Sequence, residues 1–224
     1  MRCAARSSMN QARTLVRTTP VGCCARGGDR NTDIEMITDR KRYKDYVAQD
    51  LKSYGLSRVS LYDYFWRDTL RFQLRLRKIE YLYNTTRSNP FRAAYRFLLE
   101  VVNHRLAVRL GFTIPKNVFG PGLCIVHHGT IVVHPDVRVG RNCRIHPSTC
   151  IGNYNGSPML GDNVYVGPGV KIYGNIKIGD NVAIGANSVV NKSFGSNLTL
   201  AGAPAHVIAE CGALEQGVFP ASIS

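Results

Sequence analysis

Two adjacent histidines, His127 and His128, are the residues of this chain best suited to acid–base chemistry. They lie in the segment from Phe119 to Val133, and the Gly129 that follows them precedes a short Ile-Val-Val run. An imidazole with a pKa of about 6.5 can accept the proton of a hydroxyl group near neutral pH, which makes that hydroxyl a better nucleophile. The alternative is that both histidines merely occupy a surface coil. The structure that positions them decides between the two.

A six-residue period in the C-terminal half predicts that structure. With one interruption, a large aliphatic residue recurs at every sixth position: Val133, Val139, Ile145, Ile151, Leu160, Val166, Ile172, Ile178, Ile184 and Val190. A fixed short period indicates a solenoid, here with three flat sides per coil and one aliphatic residue pointing inward from each side. A β-sandwich, the alternative, would show a period of two with turns about 8–12 residues apart.

Glycine and asparagine stand where such a coil must turn. Residues 140–142 and 179–181 read Gly-Arg-Asn and Gly-Asp-Asn. Corners of this kind need positive φ, which Gly adopts freely and Asn next most readily. We therefore place corners at these two tripeptides. His134 and His146 are next to inward positions, and we interpret them as exposed corner residues.

Over residues 112–208 this pattern resembles the hexapeptide-repeat, left-handed parallel β-helix proteins, which are mostly acyltransferases. Residues 119–133 resemble the active-site coil of the serine acetyltransferases, in which a histidine precedes a Gly-containing turn and an Ile-Val-Val strand. The resemblance implies that His127 is the general base and that acetyl-CoA is the cosubstrate. His128 matches a variable position. Some β-helix proteins bind zinc through histidines five positions apart; no two histidines here have that spacing, so we expect no metal.

The resemblance also implies a coenzyme A groove between two neighbouring β-helices, and hence a homotrimer or a dimer of trimers. The matching cofactor-binding positions are Gly152, Pro168, Ala186 and Ala203, where small side chains let the pantetheine arm approach the backbone. Lys192 could contact a phosphate of coenzyme A. Small residues are also what coil corners require, so each match alone has a structural explanation.

Three departures from the serine-specific enzymes concern the acceptor. Val126 replaces a carboxylate before the catalytic histidine, 156–157 are Gly-Ser in place of an Arg-His pair, and Phe112 or Thr113 stands where an aspartate would orient the imidazole. A buried ammonium or carboxylate needs partners, so these losses favour a less charged acceptor. What orients His127 is left open, with a backbone carbonyl or Asn117 as alternatives.

The preferred acceptor at this point is therefore a sugar hydroxyl, in surface-polysaccharide biosynthesis. The polar and aromatic interruption of the repeat, Asn153, Tyr154 and Asn155, suits contacts with a sugar. The first alternative is a serine O-acetyltransferase that makes O-acetylserine for cysteine biosynthesis. The second is a non-enzymatic β-helix scaffold that retains the fold without chemistry.

Residues 39–111 form a predicted α-helical domain before the β-helix. Ser60 and Asp63 make a capping signal, and Asn89-Pro90 and Gly111 mark the start and end of a further helix. The aromatic and Arg-rich stretch from Tyr62 to Tyr83 has two interpretations. One is an amphipathic helix at a membrane surface, hence peripheral membrane association. The other is an ordinary helix with an apolar core face and a solvated basic face.

Charge is concentrated in the N-terminal half. Residues 1–111 contain 22 Lys and Arg against 10 Asp and Glu, whereas residues 112–224 contain 7 against 5. This basic half could face phosphates, an anionic membrane surface or an acidic substrate. No zinc-finger spacing or RNA-binding signature is present, so we expect no nucleic-acid partner.

The remaining features concern the termini and the cellular compartment. Residues 1–32 contain six Arg and no acid before Asp29, which resembles a transit peptide, but we interpret residues 1–38 as a disordered or spurious extension. Residues 209–224 are a predicted C-terminal tail. The seven cysteines form no C-x-x-C motif, so we expect a reducing compartment and a cytoplasmic location. No apolar run approaches 18 residues, which predicts no membrane span.

Overall fold

The computed structural model describes residues 36–85, 89–221 and 223. Of the extension predicted over residues 1–38, only residues 36–38 lie in the described part of the chain. The described elements are four helices followed by short strands. They are α1 Arg40–Ser53, α2 Leu61–Trp66, α3 Asp68–Thr85, α4 Pro90–Leu110, β1 Phe112–Thr113, β2 Cys124–Ile125, β3 Ile131–Val133, β4 Arg138–Val139, β5 Arg144–Ile145, β6 Thr149–Gly152, β7 Met159–Leu160, β8 Tyr165–Val166, β9 Lys171–Tyr173, β10 Lys177–Ile178, β11 Val182–Ile184, β12 Val189–Val190, β13 Leu198–Gly202 and β14 Ala205–Ala209.

The helix ends follow the capping signals in the sequence. Ser60 and Asp63 form the predicted capping box at the start of α2, Asn89 accepts a hydrogen bond from the backbone N–H of Arg92 at the start of α4, and Gly111 ends α4 at φ +80°. The pattern that begins at Ser60 differs in one respect, because Arg67 leaves helical geometry and divides it into α2 and α3. None of the four described helices is both long and apolar enough to cross a membrane.

The strands form a parallel β-helix with three sheets, which confirms the predicted fold. Sheet A has the order β1-β3-β6-β9-β12, sheet B the order β10-β7-β4, and sheet C the order β14-β13-β11-β8-β5-β2. The chain passes from sheet A to sheet B to sheet C in each coil, and only the last pair, β13 with β14, is antiparallel. All ten periodic aliphatics are buried in the interior. Because each coil contributes one such residue per sheet, the core is a continuous apolar column.

Asparagines at the corners between sheets B and C confirm the predicted turns. Asn142 and Asn181 have φ of 54° and 55°, and Asn163 and Asn197 share this conformation. The side-chain amide of Asn142 donates to Asn163 over 2.8 Å, and that of Asn181 donates to Asn197 over 2.9 Å. The same residue type therefore supplies the backbone conformation and links successive coils.

The helices cover the open edge of the first coil. Arg77 is fully buried, and its guanidinium donates to Asp50, to Glu80 and to the carbonyls of Phe119 and Gly120. Asp50 in turn accepts from the backbone N–H groups of residues 122 and 123, over 2.7 and 3.0 Å. An uncovered edge would leave these backbone groups without partners.

Two further side chains fix β2, the strand that directly precedes His127. The Tyr54 hydroxyl accepts from the backbone N–H of Ile125 over 3.1 Å and lies 3.0 Å from its carbonyl. Gln73 donates to the Leu123 carbonyl over 2.7 Å. Leu76 and Leu106 from the helices belong to the same apolar core as the first coils. The helical residues therefore support the coil that carries the candidate base, while the domain bounds at 111/112 and 208/209 remain predictions.

At the other end, the predicted C-terminal tail packs on the outer face of sheet C. Ala213 and Phe219 are buried against Ala183, and Tyr165 packs on the same cluster. Sheet C is thus covered from one end by the tail and from the other by α1 and α3. Between the tail and the helices, part of the outer face of sheet C is left uncovered, and this part lies next to His127.

Candidate active site

The corner that carries His127 is wider than the corner on the next coil. Ile125 pairs with Ile145 and Val133 pairs with Ile151. The chain thus takes eight positions, 125 to 133, to connect sheet C to sheet A in the first coil, but six positions, 145 to 151, in the second. The two additional residues make a wider corner, on which His127 is exposed to solvent.

Gly129 closes this corner. Its φ is +133°, and a Cβ atom there would lie 2.9 Å from the Cβ of Pro147, so any larger residue would meet both backbone strain and a clash. Its N–H donates to the carbonyl of Leu110 over 2.9 Å, which ties the corner to the end of α4. His128, next to it, is also exposed.

His146, on the next coil, lies beside His127. The two rings meet edge-on with 6.5 Å between their centroids, and the His146 ring lies 5.1 Å from that of Tyr165. Interpreting His146 as an exposed corner residue was therefore wrong: it is half-buried, and its Nε2 is buried with no hydrogen-bond partner among the described residues. Burial, and then the charges of Arg144 and His127, lower the pKa of His146, which keeps this imidazole neutral at neutral pH.

Arg144 places a cation on the same face. Arg144 is on β5, two positions before His146, so both side chains point outward from sheet C. The Arg144 guanidinium is 3.7 Å from the Cys124 sulfur. No carboxylate of the described residues forms an ion pair with Arg144. Burial raises the pKa of the Cys124 thiol to about 11, so Cys124 is a neutral neighbour. Arg144 is therefore a half-buried cation with the capacity to bind an anion.

Three of the predicted cofactor residues lie on the same edge of the solenoid as His127, where sheet C passes to sheet A. Pro168 and Ala186 occupy equivalent corner positions in successive coils, since Val166 pairs with Ile184. Ala203 directly follows β13, the last parallel strand of sheet C. All three are exposed. This edge is thus a surface of small residues leading away from His127.

The remaining predicted residues lie on a different edge, where sheet A passes to sheet B. Gly152 ends β6, and the acceptor-binding candidates Asn153, Tyr154 and Asn155 follow it directly. Lys192 follows β12 at the same edge, with its ammonium 5.4 Å from the ring of Phe194. A Cβ atom at Gly152 would meet open space. Within one chain, sheet A separates these residues from His127.

Asn117, considered above as an orienting group, has another role. Its side-chain amide exchanges two hydrogen bonds of 3.1 Å with Asn84, and its own backbone has φ 58°. Both amide atoms are occupied, so Asn117 does not orient His127. Among residues 36–85, 89–221 and 223, no group of three or more His, Cys, Asp or Glu side chains is arranged to hold a metal ion.

Sequence reasoning did not find that His146 lies beside His127, or that Tyr165 and Arg144 lie beside His146. Their outward orientation could have been read from the repeat, because each precedes or follows an inward aliphatic residue by one position. The contacts that they make across successive coils could not be predicted, because these contacts depend on the two-residue widening of the first corner and on the interruption at 153–158.

Comparisons with known proteins agree with this architecture. Residues 157–192 match a family model described as bacterial transferase hexapeptide (six repeats). A serine acetyltransferase of Staphylococcus xylosus is 37% identical over 103 residues, which is 44% of this chain and 48% of that protein. The chain thus spans about half the length of the curated relatives it matches.

Solved structures give the same result over a longer range. The serine acetyltransferase of Neisseria gonorrhoeae in complex with serine superimposes with a TM-score of 0.60 at 25% identity, covering 76% of this chain and 70% of that one. A serine acetyltransferase in complex with CoA gives a TM-score of 0.60 at 25% identity, covering 75% and 71%. The resemblance to the serine acetyltransferases and to hexapeptide-repeat acetyltransferases is confirmed.

Proposed function

We propose that this protein is an acetyl-CoA-dependent O-acetyltransferase in which His127 is the general base. The observation that carries the proposal is the position of His127, on a widened and exposed corner of a hexapeptide β-helix that is similar to serine acetyltransferases. His127 takes the proton of the acceptor hydroxyl while the hydroxyl oxygen attacks the thioester carbonyl of acetyl-CoA. The tetrahedral intermediate then collapses and expels the coenzyme A thiolate, which can recover the proton from His127.

The cosubstrate is supported by the small-residue edge beside His127. Pro168, Ala186 and Ala203 leave the backbone accessible to an extended pantetheine arm, and a similar solved structure contains CoA. Gly152 and Lys192, on the other edge, complete the proposed cofactor set from a neighbouring copy of the chain. Lys192 would there meet a phosphate group.

For the acceptor we propose L-serine, in preference to the sugar favoured by the sequence alone. The relatives and structures matched are serine acetyltransferases, one of them in complex with serine. Arg144 supports this choice, because a half-buried cation without a described carboxylate partner can bind the carboxylate of an amino acid. It would take over part of the role of the Arg-His pair that 156–157 lack.

A sugar hydroxyl is the second candidate, and one observation favours it. Val126, Gly156 and Ser157 are uncharged where the serine-specific enzymes carry charged groups, and no carboxylate of the described residues forms an ion pair with His127. The exposed Tyr154, flanked by Asn153 and Asn155, suits a sugar ring. The two candidates therefore differ in whether the acceptor carries an ammonium group.

We also propose that the working unit is a homotrimer or a dimer of trimers, in the cytoplasm. The separation of His127 from Asn153–Asn155 on two edges of one chain supports a site shared between copies. The free thiols of Cys124, Cys143, Cys150 and Cys211 suit a reducing compartment.

The proposal is tested by a coenzyme A release assay with L-serine and a panel of sugars, with the products identified by mass spectrometry. Release that requires L-serine and yields O-acetylserine is the expected result. Turnover of a sugar but not of L-serine would replace the acceptor and leave the reaction class intact. Failure of acetyl-CoA to bind in calorimetry would instead favour the non-enzymatic scaffold.

A further inference from the structure

Helix α2 presents an exposed apolar face. Four of its five large apolar or aromatic side chains are between 63% and 81% exposed: Leu61, Tyr62, Phe65 and Trp66. The rings of Tyr62 and Trp66 lie side by side, with 6.2 Å between their centroids, and the four side chains line one shallow depression. Contiguous large apolar side chains on a folded surface mark a contact with a partner or a membrane.

The local structure holds this face outward. The Ser60 hydroxyl caps the helix by accepting from the backbone N–H of Asp63, over 3.0 Å. Asp63 is buried and its carboxylate lies 3.0 Å from Nε of Arg67, the residue that ends the helix. The four apolar positions are spaced i, i+1, i+4 and i+5, so they share one side of the helix. The exposed face thus belongs to a capped helix, with its polar residue turned to the other side.

Basic residues flank α2 in the sequence. Residues 57–75 contain four arginines and two aspartates. Arg58 and Arg67, both exposed, lie just before and just after α2. Tryptophan and tyrosine are enriched where a bilayer meets water, and arginines beside an apolar surface attract anionic headgroups. Both the shape and the charge of this face therefore complement an anionic lipid surface.

We propose that α2 docks this protein on anionic lipid membranes, with the four apolar side chains inserted at the headgroup boundary and Arg58 and Arg67 facing lipid phosphates. A second copy of the chain fits less well. A two-fold contact would place the same patch against itself, so the arginines of one copy would approach those of the other and repel them. The proposal goes beyond the acetyltransferase function and does not depend on it.

Trp66 provides a direct readout, because it is the only tryptophan of the 224 residues. Its fluorescence emission is measured on the full chain with vesicles of phosphatidylcholine alone and of phosphatidylcholine mixed with phosphatidylglycerol. We expect a blue shift with the anionic vesicles that salt reverses, and a smaller shift with the neutral ones. Unchanged emission in the presence of anionic vesicles would overturn the proposal.

Vesicle sedimentation with variants assigns the contact to α2. Phe65→Ser retains Trp66 and should weaken binding by about tenfold, since burial of one large apolar side chain accounts for at least that factor. Arg58→Gln should reduce the preference for anionic over neutral vesicles. Ile208→Ser, which changes a 57% exposed residue on the β13–β14 hairpin, is the matched control. Equal losses in Phe65→Ser and Ile208→Ser would exclude α2 as the docking face.

Self-association is the remaining outcome to separate. It would appear as a blue shift of Trp66 emission that grows with protein concentration without vesicles, accompanied by a rise in molar mass that Phe65→Ser abolishes. That result would assign the face to a contact between copies and reject membrane docking. Far-UV circular dichroism of each variant checks that the helices are retained.

Discussion

The His127 and His146 rings meet edge-on, 6.5 Å between centroids, although they belong to successive coils of the β-helix. Burial lowers the pKa of His146, with smaller contributions from Arg144 and His127, so His146 stays neutral at neutral pH. A histidine that acts as general base becomes positively charged when it takes the proton, and a positively charged neighbour would oppose this. Because His146 is neutral, it adds no second positive charge beside His127 when His127 accepts a proton.

The first prediction concerns His127 itself. His127→Ala should lower kcat by roughly 10²–10⁴-fold, the range expected for removal of a general base, while acetyl-CoA binding in calorimetry stays unchanged. His128→Ala, next to it on the same exposed corner, is the control and should retain activity. Full activity in His127→Ala would remove this residue from the mechanism.

The second prediction concerns the pH dependence of stability. When the pKa of a histidine is lower in the folded state, the unfolded chain binds a proton below about pH 6.5 that the folded protein does not yet bind. His146 should therefore make the protein less stable as the pH falls from about 6.5 towards its folded pKa. His146→Gln should flatten this part of the curve of urea midpoint against pH, whereas His134→Gln, on another edge, should not. A parallel loss of slope in both variants would contradict the assignment.

The repeat could be predicted from the sequence because its signal is additive. Ten aliphatic positions at a fixed spacing determine which side chains point inward, and Asn142 and Asn181 fall at the corners for a backbone reason that is local to each residue. The helix ends were likewise predictable, since Ser60, Asn89 and Gly111 act on backbone groups within one turn.

The surroundings of His127 were not predictable in the same way. His146 was taken for an exposed residue because the period gives only the direction of a side chain, not what lies beside it. The register of Arg144 with Cys124 depends on the number of residues in the preceding corner. Two additional residues in one corner change this register without changing the six-residue repeat. Only the structure therefore reveals which outward residues contact each other.

The third prediction concerns the acceptor. If Arg144 binds the carboxylate of L-serine, Arg144→Gln should raise KM for L-serine by about 10–100-fold, the loss expected for a hydrogen bond to a charged group. The KM for acetyl-CoA should change little. Arg138→Gln alters the corresponding outward arginine of β4, on sheet B, and should leave both constants unchanged. An unchanged KM for L-serine in Arg144→Gln would indicate that its carboxylate is bound elsewhere.

The fourth prediction concerns the support of the first coil. Arg77 is 0% exposed and joins Asp50, Glu80 and two backbone carbonyls. Arg77→Met should lower the free energy of unfolding by roughly 3–5 kcal/mol, because it leaves two carboxylates buried without their cation. Urea denaturation measures this difference. Arg75→Met, on the same helix but stacked on the ring of Tyr64, should cost no more than about 1 kcal/mol.

The fifth prediction concerns the assembly and uses two inactive variants together. In one chain, His127 lies on the edge between sheets C and A, whereas Tyr154 lies on the edge between sheets A and B. If each site combines His127 of one copy with the 153–155 loop of a neighbour, His127→Ala and Tyr154→Ala chains should complement each other when co-expressed. Random mixing would give intact histidine and intact loop together in roughly one quarter of the sites of a closed ring. Activity should therefore recover to about that fraction of the wild-type value, although each variant alone is impaired.

The control is to mix the separately purified variants under conditions in which subunits do not exchange, where no recovery is expected. If co-expression restores nothing while mass measurements show mixed oligomers, the loop and the base act within one chain, and the shared site is rejected.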